Sequence, residues 1–180
     1  MRRYFLVILR RKEKTNERVV NDYIEILRVT KPKFVYIHNL ADKHETHVAT
    51  AIKAIKALRT LSKNEQPESV YGCEVWRDLD WLNDEEKVLM DCSSHPNLAR
   101  ALSSVFDSQI IGGKRYDMAV EGRRAANATF GKNVCDTYTG LNYAMDLTPL
   151  IKDKAIDIAV YVGGYIDRFK DSVKNLLNKL

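Results

Sequence analysis

The stretch Lys33-Phe34-Val35-Tyr36-Ile37-His38-Asn39-Leu40-Ala41-Asp42-Lys43-His44-Glu45-Thr46-His47-Val48 changes character twice in sixteen residues. Phe34–Ile37, just after Pro32, is a run of aromatic and β-branched residues and reads as a short buried strand. His38 to Lys43 is polar and reads as a turn, with His38 continuing the strand end. From Lys43 onward Val48, Ala51, Ile52, Ile55 and Leu58 recur on one helical face, so a helix is expected to about Leu61. Asp42, three residues before Glu45, resembles a capping box with Asp in the Ser/Thr place. A strand that turns directly into a helix is the opening half of a βαβ unit.

The same alternation continues outward. Upstream, Tyr4–Leu9 reads as a strand, and Thr15 or Asn16 can cap a helix carrying Val19, Val20, Tyr23, Ile24 and Leu27. Downstream, Ser69–Trp76 and Lys87–Asp91 read as strands. A helix from Pro96 to about Asp107, capped by Ser94, would turn Leu98, Leu102, Val105 and Phe106 inward. Tyr116–Phe130 reads as helix. The tail from Ile156 reads as an amphipathic helix interrupted at Gly163-Gly164. The fold class expected is α/β, a parallel sheet with flanking helices, in one domain spanning residues 1–180.

Composition excludes several classes. The chain has 180 residues, 45% hydrophobic, with 8 glycines and 4 prolines; that suits one globular domain and excludes collagen-like or disordered chains. No apolar run is long enough to span a bilayer, and the apolar core of the N-terminus is too short for a secretory signal. Three cysteines, none in a CxxC pair, argue against a disulfide framework and fit reduced thiols in the cytoplasm. The net charge of +5 is concentrated in residues 1–33, where ten Lys and Arg face four Asp and Glu. Those charges alternate in sign along a helix, the pattern of a solvated face, which weighs against a nucleic-acid surface.

Chemistry concentrates in the opening stretch, which holds three of the chain's four histidines. It lies where a strand feeds a helix, the usual place for a ligand in an α/β sheet. His44 and His47 are three apart and share a helical face, the apolar one, so both rings are expected toward the sheet edge. A helix N-terminus disfavours protonation and keeps an imidazole available as a metal ligand. H-x-x-H is one residue short of the zincin pattern, and two such histidines also serve simply to close a turn. Asp42 and Asn39 likewise have ordinary readings as cap and turn residue, and His95 beside Pro96 reads as a helix start.

Several blocks in order resemble the PIG-L/LmbE-like family of zinc-dependent N-deacetylases. They are KPKFVYIHNLADKHETHVATAIKAIKALR, then VYGCEVWRDLDWLNDEEKVLMDCSSHPNLARALSSVFDSQIIGGKRYDMAVEGRRAANATF, then LNYAMDLTPLIKD, together covering roughly residues 20–155. The resemblance implies a Rossmann-like fold and zinc-assisted hydrolysis of an N-acetyl amide on an amino sugar or related small molecule. It implies His47 as a zinc ligand and His44 as the group that stabilises the oxyanion or acts as general acid. Asn39, Asp42, Glu74, Trp76, Arg77 and Arg123 are candidate substrate-binding residues in the matching blocks.

The family's first strand ends in H-P-D-D, which supplies two further zinc ligands and the general base. This chain has no such motif; His95-Pro96 is followed by Asn97-Leu98. The chain therefore resembles the C-terminal two-thirds of a family member without its first strand or strands. Activity is expected only if a partner chain, another copy or an upstream segment supplies the missing groups. The alternative is a non-catalytic remnant or small-molecule-binding module of the same fold.

Overall fold

The computed structural model describes residues 17–131 and 138–180. The expected strand at Tyr4–Leu9 and the cap at Thr15 or Asn16 lie outside the described residues. Phe34–His38 forms strand β1. Its alternation places Val35 and Ile37 against the core while Tyr36 and His38 stay exposed. The turn after His38 feeds helix α2, Glu45–Thr60, whose Ala51, Ile55 and Leu58 are fully buried. The chain returns as β2, Ser69–Cys73, parallel to β1 with Phe34 opposite Ser69 and His38 opposite Cys73. Helix α1, Glu17–Thr30, packs on α2, and its Val20 and Ile24 join the same core. An ion pair between Glu17 and Lys56 links the two helices.

The second half departs from an all-parallel sheet. Strand β3, Lys87–Asp91, is followed by helices α3, Pro96–Ser104, and α4, Tyr116–Phe130, then by strand β4, Leu141–Asp146. The sheet order is β1-β2-β4-β3, and β4 runs antiparallel to both of its neighbours. The sheet is mixed, with one parallel pair. The physical reason lies between Cys73 and Lys87, where only a 3₁₀ turn at Asp84–Glu86 forms. Without a helical crossover β3 is not laid beside β2 in parallel, and β4 takes the place between them. Leu141, Ala144 and Met145 on β4 are fully buried, as a central strand requires.

Helices α5, Thr148–Lys152, and α6, Ile158–Leu177, complete the chain. The Gly163-Gly164 pair does not interrupt α6. Each interior glycine costs about 1 kcal/mol, which a helix of 20 residues tolerates when capped by Asp157, whose Oδ1 accepts the Val160 N–H at 2.9 Å. Two further expectations are corrected. The strand expected over Ser69–Trp76 stops at Cys73. Leu98, Leu102, Val105 and Phe106, expected inward, are exposed, because α3 is a short helix whose pattern defines an apolar face without providing a layer to cover it. No helix among the described residues is long and apolar enough to cross a membrane.

Candidate metal and ligand site

Strands β1 and β2 end side by side, and the Asn39 N–H extends their pairing by donating to Cys73 O at 2.9 Å. Asn39 is fully buried. Its Oδ1 accepts the Ala41 N–H at 2.8 Å, and its Nδ2 lies 3.6 Å from Met145 Sδ. This bonding turns the chain out of the sheet. Arg77 pins the same turn from outside, donating from Nη1 to Ala41 O at 2.6 Å.

Asp42 sits at the heart of the turn with its side chain 2% exposed. Its Oδ1 accepts the His44 N–H at 2.8 Å and its Oδ2 lies 2.8 Å from His47 Nδ1. The expected capping box is not formed: α2 begins after His44, which has no side-chain cap bond. Asp42 instead serves the turn and orients a histidine. Burial pushes its carboxyl up, but the bonds from His44 and His47 and the charges of His47 and His38 outweigh this and hold it below the ordinary range.

His47 is brought against His38, with ring centroids 4.0 Å apart and planes 4° from parallel. Partial desolvation by its packed neighbours lowers the pKa of the otherwise exposed His38 and the His47 charge lowers it further, with Asp42 acting in the opposite sense. One ligand atom from each of His38, Asp42 and His47 lies within 4.8 Å of the others, the grouping a metal ion would use. His44 is exposed rather than turned to the sheet edge, because it occupies the cap position before the helix proper. Its ring meets His47 edge-on at 5.0 Å and Trp76 at 5.0 Å. Trp76 in turn meets Tyr116 at 5.4 Å and carries Lys43 Nζ 4.4 Å from its centroid.

Loop 74–82 supplies the other wall. Glu74 is buried, with Oε2 3.5 Å from Trp81 Nε1 and Oε1 lacking a hydrogen-bond partner among the described residues. Burial raises its pKa; the Trp81 N–H acts against this, and the negative Asp42 adds to it. Arg123 donates to Trp76 O at 3.1 Å and to Asp80 Oδ2 at 3.3 Å, so it holds the loop from α4. Asp78 and Leu79 both have left-handed backbone, with φ of 50° and 60°. Burial pushes the adjacent Cys73 thiol up to about 11, which keeps it protonated and poorly nucleophilic.

Of the residues singled out from sequence, His44, His47, Asp42 and Trp76 therefore come together, and Glu74 is coupled to them through Asp42. Asn39, Arg77 and Arg123 have their polar groups engaged in shaping the turn and loop. His95 is the exposed cap of α3 and stands outside the cluster. Sequence reasoning missed His38 and Tyr116. The signal for His38 was available: it follows Phe34 and Tyr36 at period two, at the carboxyl edge where ligands gather. No family model, curated protein or solved structure matches this chain.

Proposed function

We propose that this chain is the histidine-bearing part of a PIG-L/LmbE-like N-deacetylase with a Rossmann-like domain, acting in the cytoplasm on an N-acetylated amino sugar or similar amide. The observation that carries the reading is the 2.8 Å contact between Asp42 Oδ2 and His47 Nδ1. A carboxylate at one ring nitrogen orients the imidazole, and such a partner is usual for a metal-binding histidine. The donor set of His47 with its neighbours suits zinc. Zinc held there would supply Lewis acidity toward an amide carbonyl and a water of lowered pKa.

The chain's own residues have separable tasks. Asp42 holds the His47 ring in place. His44, exposed beside Trp76, is placed to donate a hydrogen bond to an oxygen that gains negative charge. The Trp76 ring offers a flat apolar surface near that hydrogen-bond donor. In the overall reaction a water oxygen bonds to the acetyl carbon and the C–N bond breaks, releasing acetate and a protonated amine. The base that takes the water's proton belongs to the H-P-D-D motif, which another segment must provide.

The test is acetate release from an N-acetylglucosamine conjugate by this chain, alone and with the polypeptide encoded immediately upstream of its gene. Activity is expected only in the mixture, abolished by His47→Ala and reduced about 100-fold or more by His44→Ala. A mixture that contains an H-P-D-D segment yet releases no acetate would overturn the proposal.

A further inference from the structure

The geometry points to a divalent-cation site formed wholly within this chain by His38, Asp42 and His47. This rests on the reading of His47 as a metal ligand and goes beyond it, because the remaining donors come from the same strand, turn and helix rather than from an added segment.

The placement of the donors is the first argument. His38 ends β1, Asp42 lies in the turn and His47 is in the first turn of α2, and one ligand atom from each is within 4.8 Å of the others. Nitrogen and oxygen donors about 2.0–2.2 Å from a tetrahedral ion stand roughly 3–3.5 Å from one another. Closing that difference takes rotation of the side chains, with the ion replacing the hydrogen bond between Asp42 Oδ2 and His47 Nδ1.

Their chemistry is the second. Two imidazoles and one carboxylate suit zinc and its first-row neighbours, and three protein ligands leave a position for water or substrate. Hard oxygen-seeking ions such as calcium and magnesium are poorly served by the two nitrogens.

The third is preorganisation. Asn39 and Arg77 fix the turn, the His44 N–H holds Asp42 Oδ1, and the His38 and His47 rings already lie in contact. A turn held in place before an ion arrives loses little freedom when it binds, so only the side chains have to reorient.

The experiment is zinc titration of the tag-free full chain, with the visible spectrum of the cobalt-substituted protein as a second readout. One ion per chain is expected. His38→Ala, His47→Ala and Asp42→Asn should each weaken binding tenfold or more, while His44→Ala and His95→Ala stay within about twofold of the parent. Asp42 also shapes the turn, so His38→Ala, at an exposed strand end, is the decisive variant, with circular dichroism confirming its fold. Absence of stoichiometric binding by the parent, or unchanged affinity in His38→Ala, would overturn the site.

The outcomes separate the two proposals. Zinc bound as described, with no deacetylation in any mixture, leaves this site standing and removes the proposed activity. Deacetylation that requires His47, with zinc affinity indifferent to His38, does the reverse.

Discussion

Asp78 shows how one residue can carry a measurable penalty. It is buried, its Oδ2 has no hydrogen-bond partner among the described residues, and its backbone is left-handed. Burial raises its pKa to about 6, with Asn127 and Arg123 pulling the other way. A carboxyl whose folded pKa lies above its unfolded value binds more protons when folded. Stability therefore falls as pH rises from about 4 to about 6, and the penalty is complete above that window. Asp78→Asn removes the charge, and Asn is well tolerated in the left-handed region. The variant should gain on the order of 1–2 kcal/mol at pH 7 and lose that pH dependence, as read by urea unfolding at pH 4.5 and 7.5. A parent and variant of equal stability at both pH values would refute this. Asp42 illustrates what sequence conveys at this scale. Its importance was legible, but its role was not. Spacing to Glu45 suggests a cap, whereas its oxygens serve residues two and five positions on. A short acidic side chain can reach either target, and only the backbone path decides between them.

At the scale of elements, β1, its turn and α2 were legible because their signals are local and agree: β-branched residues, a polar break, then helical spacing. Strand β4 was not read as a strand at all. Leu141, Tyr143, Ala144 and Met145 are all buried, so there is no apolar–polar alternation to see, and Leu, Ala and Met favour helices in isolation. The tail erred in the other direction, because Gly163-Gly164 was given more weight as a breaker than a capped helix allows. Outside its own helix backbone, a Cβ added at Gly163 meets no atom of the described residues within 4 Å. Gly163→Ala should therefore stabilise the protein by about 0.5–1 kcal/mol, seen as a higher midpoint of thermal unfolding. A lower midpoint would show that α6 needs a glycine there.

Across the whole molecule, distant parts of the chain are joined by a few polar ties that no local pattern announces. Arg59, in the last turn of α2, donates from Nε to Leu150 O and from Nη2 to Ile156 O, each at 2.6 Å. It thereby fastens the first helical layer to α5 and to the approach to α6. Arg59→Ala strands both carbonyls and should cost about 2–3 kcal/mol in denaturant unfolding. Arg59→Lys, with a single nitrogen, should recover part of that loss. If Arg59→Ala unfolds like the parent, these bonds contribute nothing net. The mixed sheet belongs to this scale as well. Alternating elements reveal that strands and helices share a layer, while the direction of β4 depends on pairings with β2 and β3, which lie 73–75 and 50–58 residues earlier in the chain.

The insertion of β4 between β2 and β3 also has a temporal meaning. A ribosome delivers the span from α1 to β2 ahead of β3 and β4, and that span holds His38, Asp42 and His47. Among the described residues, strand β3 follows but has no sheet neighbour until residues 141–146 emerge. Folding on the nascent chain is thus split into two stages, an early unit built from near-neighbour contacts and a late closure across long loops, the slower kind of step. The chemistry-bearing corner takes shape in the first stage, while the sheet that supports it waits for the second.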